Sequence, residues 1–242
     1  MATPRTRLRL VLIQVRSHPT SLRQEQSAFT ERCGVARRQI RFINLVDEPA
    51  IAWRDVADAH AVLIGGAGAY SVTRRHPFTE PLTNLVLELI ERGRPVFGAC
   101  WGHQFLVSAT GGAVITDPEQ SEVGSFGVTL TPDGAADPLF EGFPSPFWAQ
   151  LGHNDSAVAL GPGWRELARS ERCQFQAIRL DGRPVYGTQF HSELNEERLR
   201  ERLLVYLDDY VKDDAEYRSI LRGLRPSIDA DRLLARFLEL YA

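Results

Sequence analysis

The chain has 242 residues, of which 43% are hydrophobic, enough to bury the core of a single α/β domain. Its formal net charge of -3 gives no electrostatic reason to expect nucleic acid or a membrane surface as a partner. The apolar run at residues 10–13 is too short for a secretory signal, and no stretch reaches the length of a bilayer-spanning helix.

The three cysteines are widely spaced and contain no C-x-x-C pair, so neither zinc nor a redox motif is predicted. Their pattern favours a reducing compartment, and we predict a cytoplasmic protein. Cysteine reactivity requires an activating environment, which the sequence around Cys33 and Cys173 lacks. These two are predicted to be structural.

Short apolar runs alternate with helical patterns through the first part of the chain. The strand-like runs are Leu8–Val15, Ile40–Val46, Ala61–Ile64 and Pro95–Phe97, and a helical pattern covers Leu82–Glu91. Strands separated by crossover helices are typical of a mostly parallel sheet with helices on both faces. The fold class predicted is therefore α/β.

From residue 113 to 190 the chain breaks into short strand-like pieces. Turn signals separate them at Pro132-Asp133-Gly134, Gly161-Pro162-Gly163 and Asp181-Gly182. This pattern predicts antiparallel hairpins added to the parallel sheet.

After Glu193 the pattern is helical. Residues 1–194 are predicted to form the main domain, and residues 195–242 a helical C-terminal extension packed on it. Its leucines are expected to cap the sheet or to form a homodimer contact. Leucine or phenylalanine recurs at helical spacing at Leu199, Leu203, Leu204, Leu207, Leu233, Leu234, Phe237 and Leu240.

The segment around Cys100 has the pattern of a nucleophile elbow. A buried strand runs into a predicted helix through Gly98-Ala99-Cys100-Trp101-Gly102, and such a sharp turn needs small residues two before and two after its centre. Sulfur at a helix N-terminus is also stabilised as thiolate. An ordinary buried cysteine beside incidental glycines is the alternative.

A cysteine nucleophile needs a base, and His191 is the best candidate. It follows the strand-like Val185–Thr188, and parallel strands gather active residues at their carboxyl ends. Glu193, two residues later, can hold one imidazole nitrogen while the other faces sulfur. Of the competing histidines, His103 should point away from Cys100, and His153 is better explained as a pocket wall or structural residue.

Attack on an amide also requires N–H donors for the developing oxyanion. The turn Gly65-Gly66-Ala67-Gly68 can supply donors, at Gly66 and Ala67, and the Trp101 N–H is the natural second donor. A nucleotide phosphate loop is the alternative, but neither the G-x-G-x-x-G context nor a P-loop lysine is present. No cofactor and no metal are predicted.

Taken together, these segments resemble the class I, triad-type glutamine amidotransferase family, especially the amidotransferase domain of GMP synthase and its stand-alone relatives. The C-x-G-x-Q and later F-H-x-E signatures are specific as a pair. The matching segments, in the order of the family, are Leu63-Ile64-Gly65-Gly66-Ala67-Gly68, Gly98-Ala99-Cys100-Trp101-Gly102-His103-Gln104, Glu122-Val123-Gly124, Gly152-His153-Asn154-Asp155 and Gln189-Phe190-His191-Ser192-Glu193.

The resemblance implies a flavodoxin-like fold and hydrolysis of glutamine to glutamate and ammonia through a γ-glutamyl thioester. It implies that Cys100 is the nucleophile, His191 the general base and acid, and Glu193 the residue that orients His191. The backbone around Gly66 and Trp101 would form the oxyanion hole. Contacts to the glutamine substrate are expected from Gln104, Gly124 and Ser125.

Three departures from the family pattern limit what is carried over. Ser192 replaces the proline of F-H-P-E, which loosens the turn without removing a catalytic atom. Ala67 replaces the proline of the G-G-P turn and makes it less rigid. The sequence also ends without an ammonia-using synthetase domain.

Three functions are therefore open. The first is a glutaminase subunit that supplies ammonia to a synthetase partner. The second is a stand-alone hydrolase of γ-glutamyl amides or peptides. The third is a non-catalytic binding protein, against which the intact Cys100, His191 and Glu193 argue.

Overall fold

The computed structural model describes residues 3–242, apart from the side chains at positions 208 and 209. The described residues form an α/β fold, as the sequence predicts. The strands are β1 (Leu10–Gln14), β2 (Ile40–Asn44), β3 (Ala61–Ile64), β4 (Val96–Ala99), β5 (Ala113–Thr116), β6 (Glu122–Leu130), β7 (Phe147–His153), β8 (Asp155–Ala159), β9 (Trp164–Arg169), β10 (Ala177–Leu180) and β11 (Val185–Thr188). The helices are α1 (Pro19–Arg32), α2 (Thr79–Glu91), α3 (Trp101–Ala109), α4 (Pro132–Ala135), α5 (Glu196–Val205), α6 (Leu207–Tyr210), α7 (Asp214–Gly223) and α8 (Leu233–Tyr241).

Nine of these strands form one mixed sheet in the order β2-β1-β3-β4-β11-β10-β9-β6-β7. The first five are parallel, and the remaining pairs are antiparallel. The hairpins predicted for the second half are thus confirmed. Strands β5 and β8 do not join the nine-stranded sheet and pair with each other in a separate two-stranded sheet.

Both faces of the parallel sheet are covered, and alternation along β1 divides the core in two. Leu10 and Leu12 point to the face that packs Phe29 of α1 and Phe237 of α8. The intervening Val11 and its alternating neighbours point to the other face, against α2 and α3. The continuous apolar run of β1 follows from this arrangement, because a strand buried on both faces has no polar side.

Three adjacent parallel strands, β3, β4 and β11, end together and place the site. In the pairing of β11 with β4, Thr188 lies opposite Ala99, and the N–H of Cys100 donates to the Thr188 carbonyl at 2.7 Å. The N–H of Gly102 donates to the carbonyl of Gly65, at the end of β3, at 3.1 Å. The turns after these strands therefore converge at one edge of the sheet.

One expectation about local structure was wrong. The stretch Pro132-Asp133-Gly134, predicted to be a turn, begins the single-turn helix α4 because the Thr131 hydroxyl accepts the Gly134 N–H at 3.0 Å and caps it. In the C-terminal extension Leu199 and Leu203 are buried, but Leu204 is 61% exposed because it lies on the outer face of α5.

The C-terminal extension packs on the same core as the sheet through α8, whose Phe237 contacts Phe97 of β4 edge to face. The proposed domain boundary at residue 194 remains a prediction. Within residues 3–242, no helix combines the length and apolar character that crossing a bilayer requires.

Candidate active site

Cys100 stands at the point where β4 turns into α3. Its φ of 52° is the only positive value at a non-glycine position among the described residues, a conformation that costs on the order of 1–3 kcal/mol. A Cβ on Gly98 would lie 2.6 Å from the Gly102 carbonyl, and one on Gly102 would lie 2.2 Å from the Ile64 carbonyl oxygen. Both glycines are therefore required by backbone contact, as the elbow pattern predicts.

His191 and Glu193 meet beside this turn. The Nδ1 atom of His191 lies 2.7 Å from Oε1 of Glu193, and both side chains are buried. The N–H of His191 donates to the carbonyl of Gln150 in β7 at 2.8 Å, which fixes the backbone that carries the ring. The three residues predicted to form a catalytic triad thus lie together, and their catalytic roles remain a prediction.

The electrostatics of the pair are those of an imidazolium and a carboxylate. Burial alone would lower the pKa of His191, but the negative charges of Glu193 and Cys100 raise it to about 9. Burial would raise the pKa of Glu193, but His191 and Arg202 lower it to about 2. A protonated His191 beside the sulfur can hand a proton to a leaving nitrogen.

Two further groups contact the Cys100 sulfur. The amide nitrogen of Gln189 lies 3.7 Å from Sγ, and the carbonyl oxygen of Gly152 lies 3.8 Å from it. The sequence interpretation missed Gln189, although its position two residues before His191 at the end of β11 was a usable signal.

The predicted oxyanion donors are not equivalent in the structure. The N–H of Gly66 donates to Oε1 of the buried Glu25 at 3.0 Å, so this donor is already engaged. The N–H groups of Ala67 and Trp101 donate no hydrogen bond to any other residue in the described chain. Ala67 and Trp101 both line the cavity at Cys100.

A cavity of about 310 Å³ opens onto Cys100, at the small end of the range for ligand sites, roughly 300–1,000 Å³. Gln104 lines this cavity as predicted, and its amide nitrogen donates to the Asp155 carbonyl at 2.7 Å and to Gln189 Oε1 at 3.1 Å. The charged or imidazole-bearing residues that line the cavity are Arg74, His76, His153 and Asp155.

The structure does not bring Gly124 and Ser125, the other predicted substrate contacts, to this site. Neither residue lines the described cavity at Cys100. The Ser125 hydroxyl accepts the N–H of Arg225 at 2.8 Å and donates to the side chain of Gln150 at 2.8 Å. Both residues lie beneath the C-terminal extension, where a Cβ on Gly124 would be 3.7 Å from Ile220.

The competing histidines and cysteines occupy structural positions. His103 is fully buried against Gly187, and burial lowers its pKa to about 3. His153 lines the cavity, but its Nδ1 lies 3.0 Å from the Asp155 carbonyl. Burial raises the pKa of Cys33 to about 12 and that of Cys173 to about 11, so neither thiol is activated.

One buried group, Glu122, His153 and Cys173, has the residue types of a metal site. Hydrogen bonds already surround Glu122: its Oε2 accepts from Gln176 at 2.7 Å and from Ser170 at 2.9 Å, and lies 3.3 Å from His153 Nε2. These contacts form a buried polar network. The network holds the segment after β7, and that segment lines the cavity at Cys100.

The chain is similar to one known family and to several known proteins. The family described as glutamine amidotransferase class-I matches residues 31–205. A glutamine-hydrolysing GMP synthase from Thermosipho melanesiensis is 33% identical over 144 residues, which cover 60% of this chain and 26% of that protein. A subunit of the glutamine-hydrolysing GMP synthase from Archaeoglobus fulgidus is 30% identical over 137 residues, which cover 57% of this chain and 68% of the relative.

The fold is also shared with a solved structure. The crystal structure of a glutamine amidotransferase from Thermotoga maritima superposes with a TM-score of 0.76 over 97% of both chains, at 21% sequence identity. The chain spans about a quarter of the Thermosipho melanesiensis protein, 26% of its length. With the family match over most of the chain, these findings show that it belongs to the class I glutamine amidotransferase family.

Proposed function

We propose that the chain hydrolyses the side-chain amide of glutamine through a thioester on Cys100, with His191 and Glu193 completing the triad. The observation that carries this proposal is the strained elbow: Cys100 takes a positive φ beside a buried histidine and carboxylate 2.7 Å apart. Strain of this kind persists where the surrounding structure enforces it, and it is concentrated at active sites.

In the first half of the reaction, the Cys100 sulfur attacks the γ-carbonyl carbon, and the carbonyl electron pair moves onto oxygen. The N–H groups of Ala67 and Trp101 are proposed to receive this oxyanion, because they are unengaged within the described chain and line the cavity at the sulfur. The imidazolium of His191 gives its proton to the amide nitrogen. The C–N bond breaks, and ammonia leaves.

In the second half, water attacks the thioester carbon while His191 accepts its proton. The C–S bond breaks, glutamate is released, and the protonated imidazole faces the thiolate again. Glu193 holds Nδ1 of His191 at 2.7 Å throughout, so that the opposite nitrogen faces the sulfur.

Glutamine recognition is proposed to use the charged residues of the cavity. Arg74 lines it and forms no ion pair with a described carboxylate, so its guanidinium can bind the α-carboxylate of the substrate. Asp155 accepts hydrogen bonds from Ser71 and Thr116 and faces the same cavity, where its carboxylate can bind the α-ammonium group.

The fate of the ammonia is proposed from the relatives. The name of the Archaeoglobus fulgidus relative identifies it as one subunit of a glutamine-hydrolysing synthase. By analogy, we infer that a separate synthetase partner consumes the ammonia.

A second candidate is hydrolysis of larger γ-glutamyl amides or peptides without a partner. The observation that favours it is a groove of about 760 Å³ between the β5–β6 connection and the α6–α7 region. This groove shares Thr116, Asn154 and Tyr210 with the cavity at Cys100, so a substrate longer than glutamine can extend into it.

Release of glutamate and ammonia from glutamine and from γ-glutamyl amides and peptides tests both candidates. Cys100→Ala is the test variant, and Cys33→Ala, at a buried thiol that does not line the cavity at Cys100, is the control. Slow, Cys100-dependent turnover of glutamine supports the partner-dependent function. Faster turnover of a γ-glutamyl peptide supports the second candidate, and turnover that survives in Cys100→Ala contradicts both.

A further inference from the structure

The first helix of the C-terminal extension places a buried arginine behind the triad. Arg202 of α5 is 5% exposed, and its Nη1 lies 3.8 Å from Oε1 of Glu193. Its Nε donates to Oε1 of Gln24 at 2.7 Å, which fixes the guanidinium against α1. Neither terminal nitrogen of Arg202 has a hydrogen-bond partner in the described chain. The guanidinium therefore interacts with Glu193 through its charge.

Glu193 needs such a charge. Its side chain is fully buried, Oε1 is bonded to His191, and Oε2 has no hydrogen-bond partner among the described residues. A buried carboxylate with a single hydrogen bond is unfavourable unless a cation lies nearby. When His191 loses its proton during the reaction, Arg202 is the nearest positive charge that remains.

The other charged and titratable groups around Arg202 are paired elsewhere or neutral. Arg16, two residues after the end of β1, is already paired with Glu25 of α1 at 2.8 Å. Tyr206 and Tyr210, from the segment after α5, add no cation. Arg202 is therefore the remaining cation that faces Glu193. It lines the same small cavity, about 20 Å³, as Cys100 and His191.

We propose that Arg202 is a positioning residue of the active site, whose charge keeps Glu193 ionised and thereby sets the proton affinity of His191. This inference rests on the function proposed above. It makes the C-terminal extension a part of the reacting site, because α5 supplies the positive charge beside Glu193 that remains when His191 is neutral.

The expected effect has a definite sign. Arg202→Gln removes a positive charge next to Glu193 and His191, so both groups hold their protons to higher pH. The alkaline limb of the kcat/KM profile follows His191. This limb is expected to move to higher pH by about half to one unit.

The variants separate charge from packing. Arg202→Lys keeps the charge and should leave the alkaline limb where it is in the wild type. Arg200→Gln, at an exposed arginine on the same helix, is the matched control and should change neither rate nor limb. The measurement is kcat/KM for glutamine between about pH 5 and pH 10. A uniform loss of activity at every pH in Arg202→Gln, shared by Arg202→Lys, would overturn the proposal.

Two measurements keep the test independent of folding and of turnover. If Arg202→Gln does not fold, Gln24→Ala releases the guanidinium without deleting its charge, and a smaller shift in the same direction is expected. An unshifted alkaline limb in Gln24→Ala would contradict the proposal. The rate of Cys100 alkylation by iodoacetamide can be measured against pH without a substrate. It reports the effect of Arg202 on the site even if the chain does not hydrolyse glutamine. A failure of the glutaminase hypothesis and a failure of the Arg202 hypothesis therefore give different results.

Discussion

The carboxylate of Glu25 accepts the main-chain N–H of Gly66 at 3.0 Å, directly beneath the turn that follows β3. The same carboxylate accepts from Arg16 at 2.8 Å and from Gln14 at 2.9 Å, and all of these groups are buried. A donor held by a carboxylate is not free to bind an oxyanion. The Glu25–Gly66 contact therefore shifts the proposed donor along the turn to Ala67. The family pattern has proline here, which carries no N–H, so a donor at Ala67 would be particular to this chain.

Ala67→Pro tests this shift directly, because proline has no N–H. If the Ala67 N–H receives the oxyanion, the substitution should lower kcat by about 10²–10³, the usual cost of losing one such donor. Ala67→Ser keeps the N–H and serves as the control. A kcat equal to that of the wild type in Ala67→Pro would show that the Ala67 N–H does not receive the oxyanion. The donor in this turn would then be Gly66, as the family resemblance implies.

The pH dependence should report His191. Its pKa is raised to about 9 by Glu193 and Cys100 against the effect of burial, and the leaving nitrogen takes its proton from the imidazolium. We therefore expect kcat/KM to be maintained below pH 9 and lost as the pH rises through this value. Glu193→Gln removes a negative charge, so the alkaline limb should move to lower pH while activity falls about 10²-fold or more.

The pH dependence of kcat/KM for the wild type and for Glu193→Gln tests this prediction. An alkaline limb that stays in place in Glu193→Gln would show that the limb belongs to another group.

Arg74 and Arg75 provide a matched pair for substrate recognition. Arg74 lines the cavity at Cys100, whereas Arg75 lines a separate surface groove near α2. Arg74→Ala should raise KM for glutamine by about 10- to 100-fold, the effect of losing a charge-assisted hydrogen bond worth roughly 1.5–3 kcal/mol, and leave kcat nearly unchanged. Arg75→Ala should change neither KM nor kcat. Equal effects of the two variants would show that Arg74 does not bind the substrate.

A side chain at a glycine of the Cys100 elbow is expected to destabilise the fold. A Cβ on Gly102 would sit 2.2 Å from the Ile64 carbonyl oxygen, which is backbone and cannot move aside alone. Gly102→Ala should lower the free energy of unfolding by about 3 kcal/mol. Gly223→Ala is the control, because nothing lies within 4 Å of the added methyl group, and its free energy of unfolding should not fall. Chemical denaturation of the two variants gives both values.

The elbow and its partners followed from local rules in the sequence. Gly98 and Gly102 around Cys100 predicted the sharp turn, and the structure gives the backbone contacts that require them. The parallel pattern placed His191 at the same sheet edge as Cys100. That β11 lies directly beside β4 could not be predicted, because hydrophobic periodicity does not encode strand order.

The supporting residues could not be predicted for a related reason. Glu25 lies in α1, whose sequence is mostly polar and is typical of an exposed helix. Glu25 is nevertheless buried, because Gln14 of β1 and Arg16 just after it form hydrogen bonds with its carboxylate. Arg202 looks like one more charge on a polar helix. Gly124 and Ser125 were assigned from the resemblance alone, and the C-terminal extension that covers them is not part of that signature.

The central claim is that Cys100 forms a γ-glutamyl thioester, and trapping that intermediate tests it most directly. Protein mixed with glutamine, quenched in acid and digested would be analysed by mass spectrometry for the peptide that contains Cys100. We predict a γ-glutamyl adduct on Cys100 that is absent from peptides carrying Cys33 or Cys173, and that is richest when the reaction is quenched early. Glutamate release by the wild type with no adduct on Cys100 at any quench time, and undiminished release by Cys100→Ala, would contradict the account.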